Sequence, residues 1–310
     1  MTRPASRLPS AAPTFDPLAL GASLYAPATR PDLAALGNGE KAINPHSLIY
    51  CLEDAVRDDE LPLALERLRS ALPQLRQGTG PLRFVRVRSP RMLETVLGFE
   101  GRSALHGVVL PKVSRSNLRE YLQLLPPELS ALPTLETREV FSQRRMEGLR
   151  DFLLDSGFAG RVACLRVGGN DLLSLLGLRR TPGQTVHEGP LSGTLQMLVS
   201  TFVPWGFQLS SPVYEVYGDP STLAREVQQD RQRGLCGKTV IHPVQVAVVA
   251  AAYQVTAAEL RQARAVLDPQ APAVFARDGA MCEPATHGRW AAQVLRMAQL
   301  YGVQPDAAPA

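Results

Sequence analysis

The residues able to do chemistry in this sequence fall at the ends of short apolar runs. "SLIYCLED" closes on Glu53 and Asp54, "LRFVRV" carries Arg86 and leads into Arg88, and "GVVLPK" closes on Pro111 and Lys112. "LPTLET" closes on Glu136 and runs on through Thr137 to Arg138, while "VACLRVGG" passes through Gly168 and Gly169 to Asn170 and Asp171. "KTVIHP" ends in His242 and Pro243, and "FQLSSPV" offers only serines and a proline. Each ending has an ordinary account: a carboxylate after a strand caps a helix, an arginine lies on a surface, a histidine satisfies a core hydrogen bond. Together they describe something costlier. Carboxylates, cations and a histidine facing one cavity are unfavourable unless they pair or bind a ligand.

The chemistry such a set supports is metal-assisted. Mg2+ takes oxygen ligands and commonly only one or two protein carboxylates, the rest being water and substrate. Glu136 and Asp171 close neighbouring runs and could share one ion. Gly168 and Gly169 would let backbone or a substrate group approach where a Cβ would intrude. Arginine forks suit a substrate that carries its own carboxylate. The ion would then polarise a carbonyl oxygen and stabilise a developing enolate.

Eight apolar runs, at 22–28, 47–54, 82–87, 107–112, 132–137, 162–169, 207–213 and 238–243, must position these residues. Segments of helical period separate most of them: "ELPLALERLRSALPQL" repeats apolar residues every three or four positions, as does "PSTLAREVQQDRQRGL", where Pro220 suits a first helical turn. The alternation implies parallel βαβ units. Eight of them close a (β/α)8 TIM barrel, whose active site lies at the C-terminal ends of its strands. An open doubly wound sheet fits the alternation too, but the first run is not followed by G-x-G-x-x-G. The expected organisation is a flexible segment over 1–20, a barrel over 21–250, and a C-terminal helical extension over 251–310. The extension shows a helical stripe of Trp290, Val294, Ala298 and Tyr301.

Composition bounds the rest. The chain has 310 residues, 45% of them hydrophobic, which suffices for a sizeable core. Its net charge of +4 is spread without a block of like charges, so no nucleic-acid partner is expected; an anionic small molecule would suit it. Four separated cysteines, Cys51, Cys164, Cys236 and Cys282, suggest neither a disulfide framework nor a zinc site. With no signal-like or membrane-length apolar run, the expectation is a cytoplasmic protein without membrane contact.

In order along the chain, "SLYAPATRPD", "IYCLEDAV", "VRV", "GVVLPKV", "LET", "GGNDLL" and "GKTVIHPVQV" resemble the citrate lyase β-subunit-like members of the HpcH/HpaI aldolase group, within the phosphoenolpyruvate/pyruvate superfamily. "GGNDLLSLLGLRR" with the later "MCEPATH" looks like a less characterised branch predicted to be carbon–carbon bond lyases. The resemblance implies a TIM barrel, usually trimeric, that cleaves or forms carbon–carbon bonds with Mg2+, or Mn2+ in its place. Coenzyme A would enter as part of the substrate. It implies metal ligation by Glu136 and Asp171, substrate binding by Arg86, and an acidic pair, Glu53 and Asp54, near the metal waters. Lys112 and His242 match positions open to either a structural or a catalytic role. Glu283 matches an acid that, in some relatives, reaches a neighbouring subunit's site.

Two departures stand out. Cys51 replaces the first Asp of the family's "DLEDAV", and Arg88 replaces the Asn of its "VR-x-N". An added arginine at the mouth would point to a more anionic substrate. The site expected from sequence therefore has Arg86, Glu53, Asp54 and Glu283 as catalytic residues. Arg86, Arg88, Gly168, Gly169, Pro111 and Lys112 would bind substrate, and Glu136 and Asp171 the metal. The same departures would also fit a regulatory ligand-binding barrel without efficient chemistry, and phosphoryl or acyl transfer is compatible with the fold.

Overall fold

The computed structural model describes residues 13–304, and the chain divides into two compact units after Val249. In the first, all eight apolar runs form parallel strands. These are β1 (Ala22–Pro27), β2 (Ser47–Cys51), β3 (Leu82–Arg86), β4 (Gly107–Leu110), β5 (Ser130–Leu135), β6 (Leu165–Val167), β7 (Leu209–Ser210) and β8 (Lys238–Val240). β1 to β7 pair in sequence order, and β8 pairs with β1. A parallel bridge between Ser211 and Lys238 links β7 to β8, so the ring closes as a TIM barrel.

Between the strands lie α1 (Leu33–Gly37), α2 (Leu61–Ala71), α3 (Pro90–Leu97), α4 (Arg115–Leu124), α5 (Gln143–Asp155), α6 (Gly169–Leu175), α7 (Ser192–Phe202) and α8 (Pro220–Gln232). Local chemistry starts several of them. Ser89 accepts from the Met92 amide ahead of α3, and Asp219 accepts from the Thr222 amide ahead of α8, with Pro220 at its first position as its fixed φ allows. α9 (Pro243–Tyr253) follows β8.

The interior floor is apolar: Leu20, Ile49, Phe84, Val109, Leu132, Cys164 and Cys236 form one buried cluster. Leu20 comes from the segment expected to be flexible. Residues 17–20 form a helical turn capped by Asp16, and Phe15 meets Phe84 edge-on at 5.2 Å. Burial of these apolar side chains holds the segment from residue 13 onward, and residues 1–12 lie outside the described residues.

Where β8 begins, Lys238 is fully buried and reaches α8. Its Nζ contacts Glu226, Asp230 Oδ2 at 3.0 Å and Ser211 Oγ at 2.8 Å. Arg180 closes on Glu226 at 2.6 Å, and His187 Nε2 meets Asp230 Oδ1 at 2.6 Å. Burial pushes the Asp230 carboxyl up, but Lys238 and His187 more than offset it and hold it below the ordinary value.

The second unit contains α10 (Ala257–Val266) and α11 (Pro284–Tyr301), together with two small sheets the sequence pattern did not indicate. β9 (Val255–Thr256) pairs in parallel with β12 (Val303–Gln304), and β10 (Phe275–Arg277) forms a hairpin with β11 (Ala280–Cys282). Its core joins Val255, Ala263, Val266, Cys282, Ala291 and Val294. Trp290 is not on the buried face of α11: Ala291 takes that position and the indole is exposed.

Candidate active site

Side chains alternate along a strand, so the positions facing the barrel interior recur every second residue. Ile49 and Cys51 on β2 are followed by Glu53; Phe84 on β3 by Arg86; Leu132 and Thr134 on β5 by Glu136. Lys112 follows β4, and Asp171 lies in the first turn of α6, after β6. Five consecutive strands therefore deliver polar groups to one mouth. Asp171 is not the helix cap; Gly168 holds that position.

Arg86 sits at the centre. Its Nη2 lies 2.8 Å from Glu53 Oε2, 3.1 Å from Asp54 Oδ2 and 3.1 Å from Glu136 Oε1. Lys112 binds from above: Nζ donates to Glu53 Oε1 at 2.8 Å and reaches Asp54 at 3.4 Å and Asp171 at 3.5 Å. Its backbone N–H donates to Glu136 Oε1 at 2.7 Å. That geometry requires φ of +48° at a lysine, a left-handed conformation that side chains with a Cβ resist. The conformation lets one residue address Glu136 through its backbone and three carboxylates through its ammonium. Pro111, before it, is buried.

The carboxylates are not equivalent. Burial pushes Glu136 up to about 7, with Arg86 and the Lys112 amide pulling it back and the charge of Asp171 adding to the rise. Burial, reinforced by the hydrogen bond it shares with Asp54, also raises Glu53. Asp54 is half-exposed; burial acts to raise it, but its hydrogen bond with Glu53 and the charges of Arg86 and Lys112 hold it below the ordinary value. Two touching carboxyls pushed apart this way suit one proton donor and one acceptor.

Five residues singled out from the sequence have surroundings of their own. Arg88 is committed to the loop after β2: Nε donates to the Leu52 carbonyl at 2.6 Å, and the other two nitrogens engage the Val56 carbonyl and the Asp58 carboxylate. An arginine with three groups of one loop in its fork positions that loop, which carries Glu53 and Asp54. The room left by the glycines is taken by protein. A Cβ on Gly168 would come within 2.3 Å of Glu136 Oε2, and one on Gly169 within 2.7 Å of Pro212 Cβ. His242, at the end of β8, stacks on Tyr217 with ring centroids 4.7 Å apart. Glu283 belongs to the second unit, where it precedes α11 and accepts from Thr286 Oγ1 at 3.0 Å.

Sequence reasoning passed over Arg166, inside the "VACLRVGG" run itself. Its alternation with Cys164, just before β6, was the available signal, since it puts a guanidinium inside the barrel.

A model for the C–C bond lyases of the TIM-barrel fold matches residues 14–303. The chain belongs to that family. It is an enzyme family, and the carbon–carbon lyase expected from the motifs is met at that level. The chain is 30% identical over 283 residues to a citrate lyase subunit beta-like protein of Deinococcus radiodurans, covering 85% of this chain and 90% of the relative. It is 29% identical over 222 residues to (3S)-malyl-CoA thioesterase of Cereibacter sphaeroides, covering 70% and 72%. Among solved structures, the CitE protein of Mycobacterium tuberculosis in complex with magnesium, acetoacetate and coenzyme A superposes with a TM-score of 0.66 at 24% identity, over 94% of this chain and all of that one. The same organism's citrate lyase beta subunit with oxaloacetate and magnesium gives 0.57 at 23% identity, over 76% and 98%. These last two likenesses show the fold.

Among the described residues, no three His, Cys, Asp or Glu side chains form a group able to hold a metal unaided. No helix among them is long and apolar enough to cross a membrane.

Proposed function

We propose that the protein is a Mg2+-dependent lyase that breaks or forms the Cα–Cβ bond of a hydroxy acid, or of its coenzyme A thioester, through an enolate. The observation that carries this reading is the convergence of four carboxylates and two cations from five consecutive strands on one mouth. Glu136 and Asp171 fit the metal. They are hard oxygen donors from adjacent strands, and the charge of Asp171 raises the energy of an ionised Glu136 until a cation intervenes. Two carboxylates are an ordinary protein contribution to Mg2+, so the lack of a third ligand agrees with the assignment. Bound there, Mg2+ would supply Lewis acidity toward a substrate carbonyl oxygen. Manganese has the same ligand preference.

The chain's own residues would do the remainder. Arg86 would hold the substrate carboxylate or carbonyl. Asp54, ionised and half-exposed, would take the β-hydroxyl proton; as the Cα–Cβ bond breaks, its electrons move to the α-carbon and the β-carbon leaves as a carbonyl. Lys112 would keep Glu53 and Asp54 in place and add positive charge at the mouth. The relatives support an anionic carbonyl substrate: the Mycobacterium tuberculosis proteins were solved with acetoacetate, oxaloacetate and coenzyme A.

The likeness to a malyl-CoA thioesterase favours one second reading, thioester hydrolysis in the same cavity. Mass-spectrometric assay of Mg2+-loaded protein against 3-hydroxy acids and their coenzyme A thioesters separates the two. Release of a carbonyl fragment is expected, and free coenzyme A with an intact acid would indicate the thioesterase. Asp171→Ala should lose both Mg2+ binding and turnover; full activity in that variant would remove the metal assignment. Binding without any product would favour a regulatory barrel, as Cys51, buried beside Arg86, would suit. The working form we propose is a cytoplasmic homotrimer in which Glu283 reaches a neighbouring subunit's site. A monomeric mass by light scattering would withdraw that role.

A further inference from the structure

Below the mouth, the barrel interior holds a second guanidinium without a partner charge. Arg166 on β6 is 1% exposed and has no carboxylate within 4.0 Å among the described residues. Among those residues its guanidinium makes one hydrogen bond, from Nη2 to Thr239 Oγ1 on β8, at 2.6 Å. Nη1 is buried without a hydrogen-bond partner among those residues, and so are Thr134 Oγ1, Ser210 Oγ and Arg86 Nε. These atoms belong to one neighbourhood. Thr134 and Arg166 are register partners on β5 and β6, and Arg166 and Ser210 are register partners on β6 and β7. Arg166 and Arg86 also flank the same Tyr25 ring, 5.5 Å and 5.9 Å from its centroid.

A buried guanidinium without a counter-charge is expensive, and the four unsatisfied polar atoms add to the cost. The carboxylates that could pay it are already engaged by Arg86 and Lys112. Tyr25 and Thr239 are partly exposed, so the cluster lies directly beneath a layer that solvent reaches. An acidic group with two acceptor oxygens matches a guanidinium fork flanked by hydroxyls.

We propose that Arg166, with the hydroxyls of Thr134, Ser210 and Thr239, forms a carboxylate-binding site inside the barrel that receives the second carboxylate of a dicarboxylic substrate whose reacting end lies at Arg86. This rests on the lyase reading for the identity of the upper site. Its new content is the assignment of Arg166 as the residue that selects a second carboxylate.

Titration calorimetry of the Mg2+-loaded protein with pyruvate, which has one carboxylate, and oxaloacetate, which has two, tests it. Wild type should bind oxaloacetate more tightly. Arg166→Met should reduce oxaloacetate affinity by about tenfold to a hundredfold and leave pyruvate unchanged. Thr239→Val retains every charge and should shift oxaloacetate alone, by about tenfold or less; it decides the question should Arg166→Met not fold. Equal wild-type affinities would overturn the proposal, as would variants that weaken both ligands alike or alter only the melting temperature. Selective binding by a protein that cleaves nothing would leave this site standing and remove the lyase reading; turnover without selectivity would do the reverse.

Discussion

Two clusters of charge in this barrel use similar residues to different ends. Behind β8, Lys238, Arg180, His187, Glu226 and Asp230 are buried and joined by short contacts, with Lys238, Glu226 and Asp230 fully inaccessible. At the mouth, Arg86, Lys112, Glu53, Asp54, Glu136 and Asp171 are also joined, but Lys112 and Asp54 remain about half open to solvent. The first cluster joins a strand to the helix before it, and its charges face one another. The second keeps one side free, holds a lysine at positive φ, and has one buried carboxyl raised to about 7. A structural network satisfies itself; a reactive one leaves part of its demand for a ligand.

Substitutions should separate the two. Lys238→Met leaves Glu226 and Asp230 buried without their shared cation and should cost about 3–5 kcal/mol in urea unfolding, while the folded fraction keeps its specific activity. Lost activity in fully folded protein would mean the outer network serves the reaction. Glu136→Gln should do the opposite, lowering kcat/KM by about 10²–10³-fold with stability held or improved. A strongly destabilised variant with normal turnover would place Glu136 in the structural class.

Arg88→Asn, which restores the residue of the family's motif, should free the Leu52–Asp58 loop. About a tenfold fall in kcat is expected, with a smaller change in KM, because the loop carries the pair proposed to transfer the proton and not the arginine proposed to hold the substrate. A change confined to KM would return Arg88 to the substrate. The smallest effect is in pH dependence. Because burial holds Glu136 near 7, the metal-free folded protein keeps a proton there that the unfolded chain releases near 4.5. That contribution makes stability fall as pH rises from about 4.5 to about 7. Asp230, held below its ordinary value, contributes stability above 3.8 that is lost as pH falls through its folded value. Melting curves of metal-free wild type against Glu136→Gln should differ most above pH 7; parallel curves would contradict the raised carboxyl.

Much of this was legible in the linear chain. All eight strands coincide with apolar runs, because strands buried on both faces read as continuous hydrophobic segments. Their polar endings located the mouth, because closing the ring brings strand ends together. The helical turn at 17–20 was hidden by its Pro- and Ala-rich surroundings, since its stability comes from Leu20 and Phe15 packing on residues from other strands. The two sheets of the second unit have strands of only two or three residues, too short to show a period.

The sequence by itself determined the order of elements, the family motifs and the set of charged residues available to the mouth, because these depend on local alternation and on residue identity. Only the tertiary structure decided how those charges are spent. Arg88 turns back to its neighbouring loop, Gly168 makes room for Glu136, and Lys112, at positive φ, reaches the ends of β2 and β5 and the start of α6. Arg166, anonymous within a glycine motif, becomes a charge inside the barrel with no carboxylate paired to it among the described residues. Direction and partnership of a long side chain are set by what other strands bring beside it, and one-dimensional spacing does not contain that information.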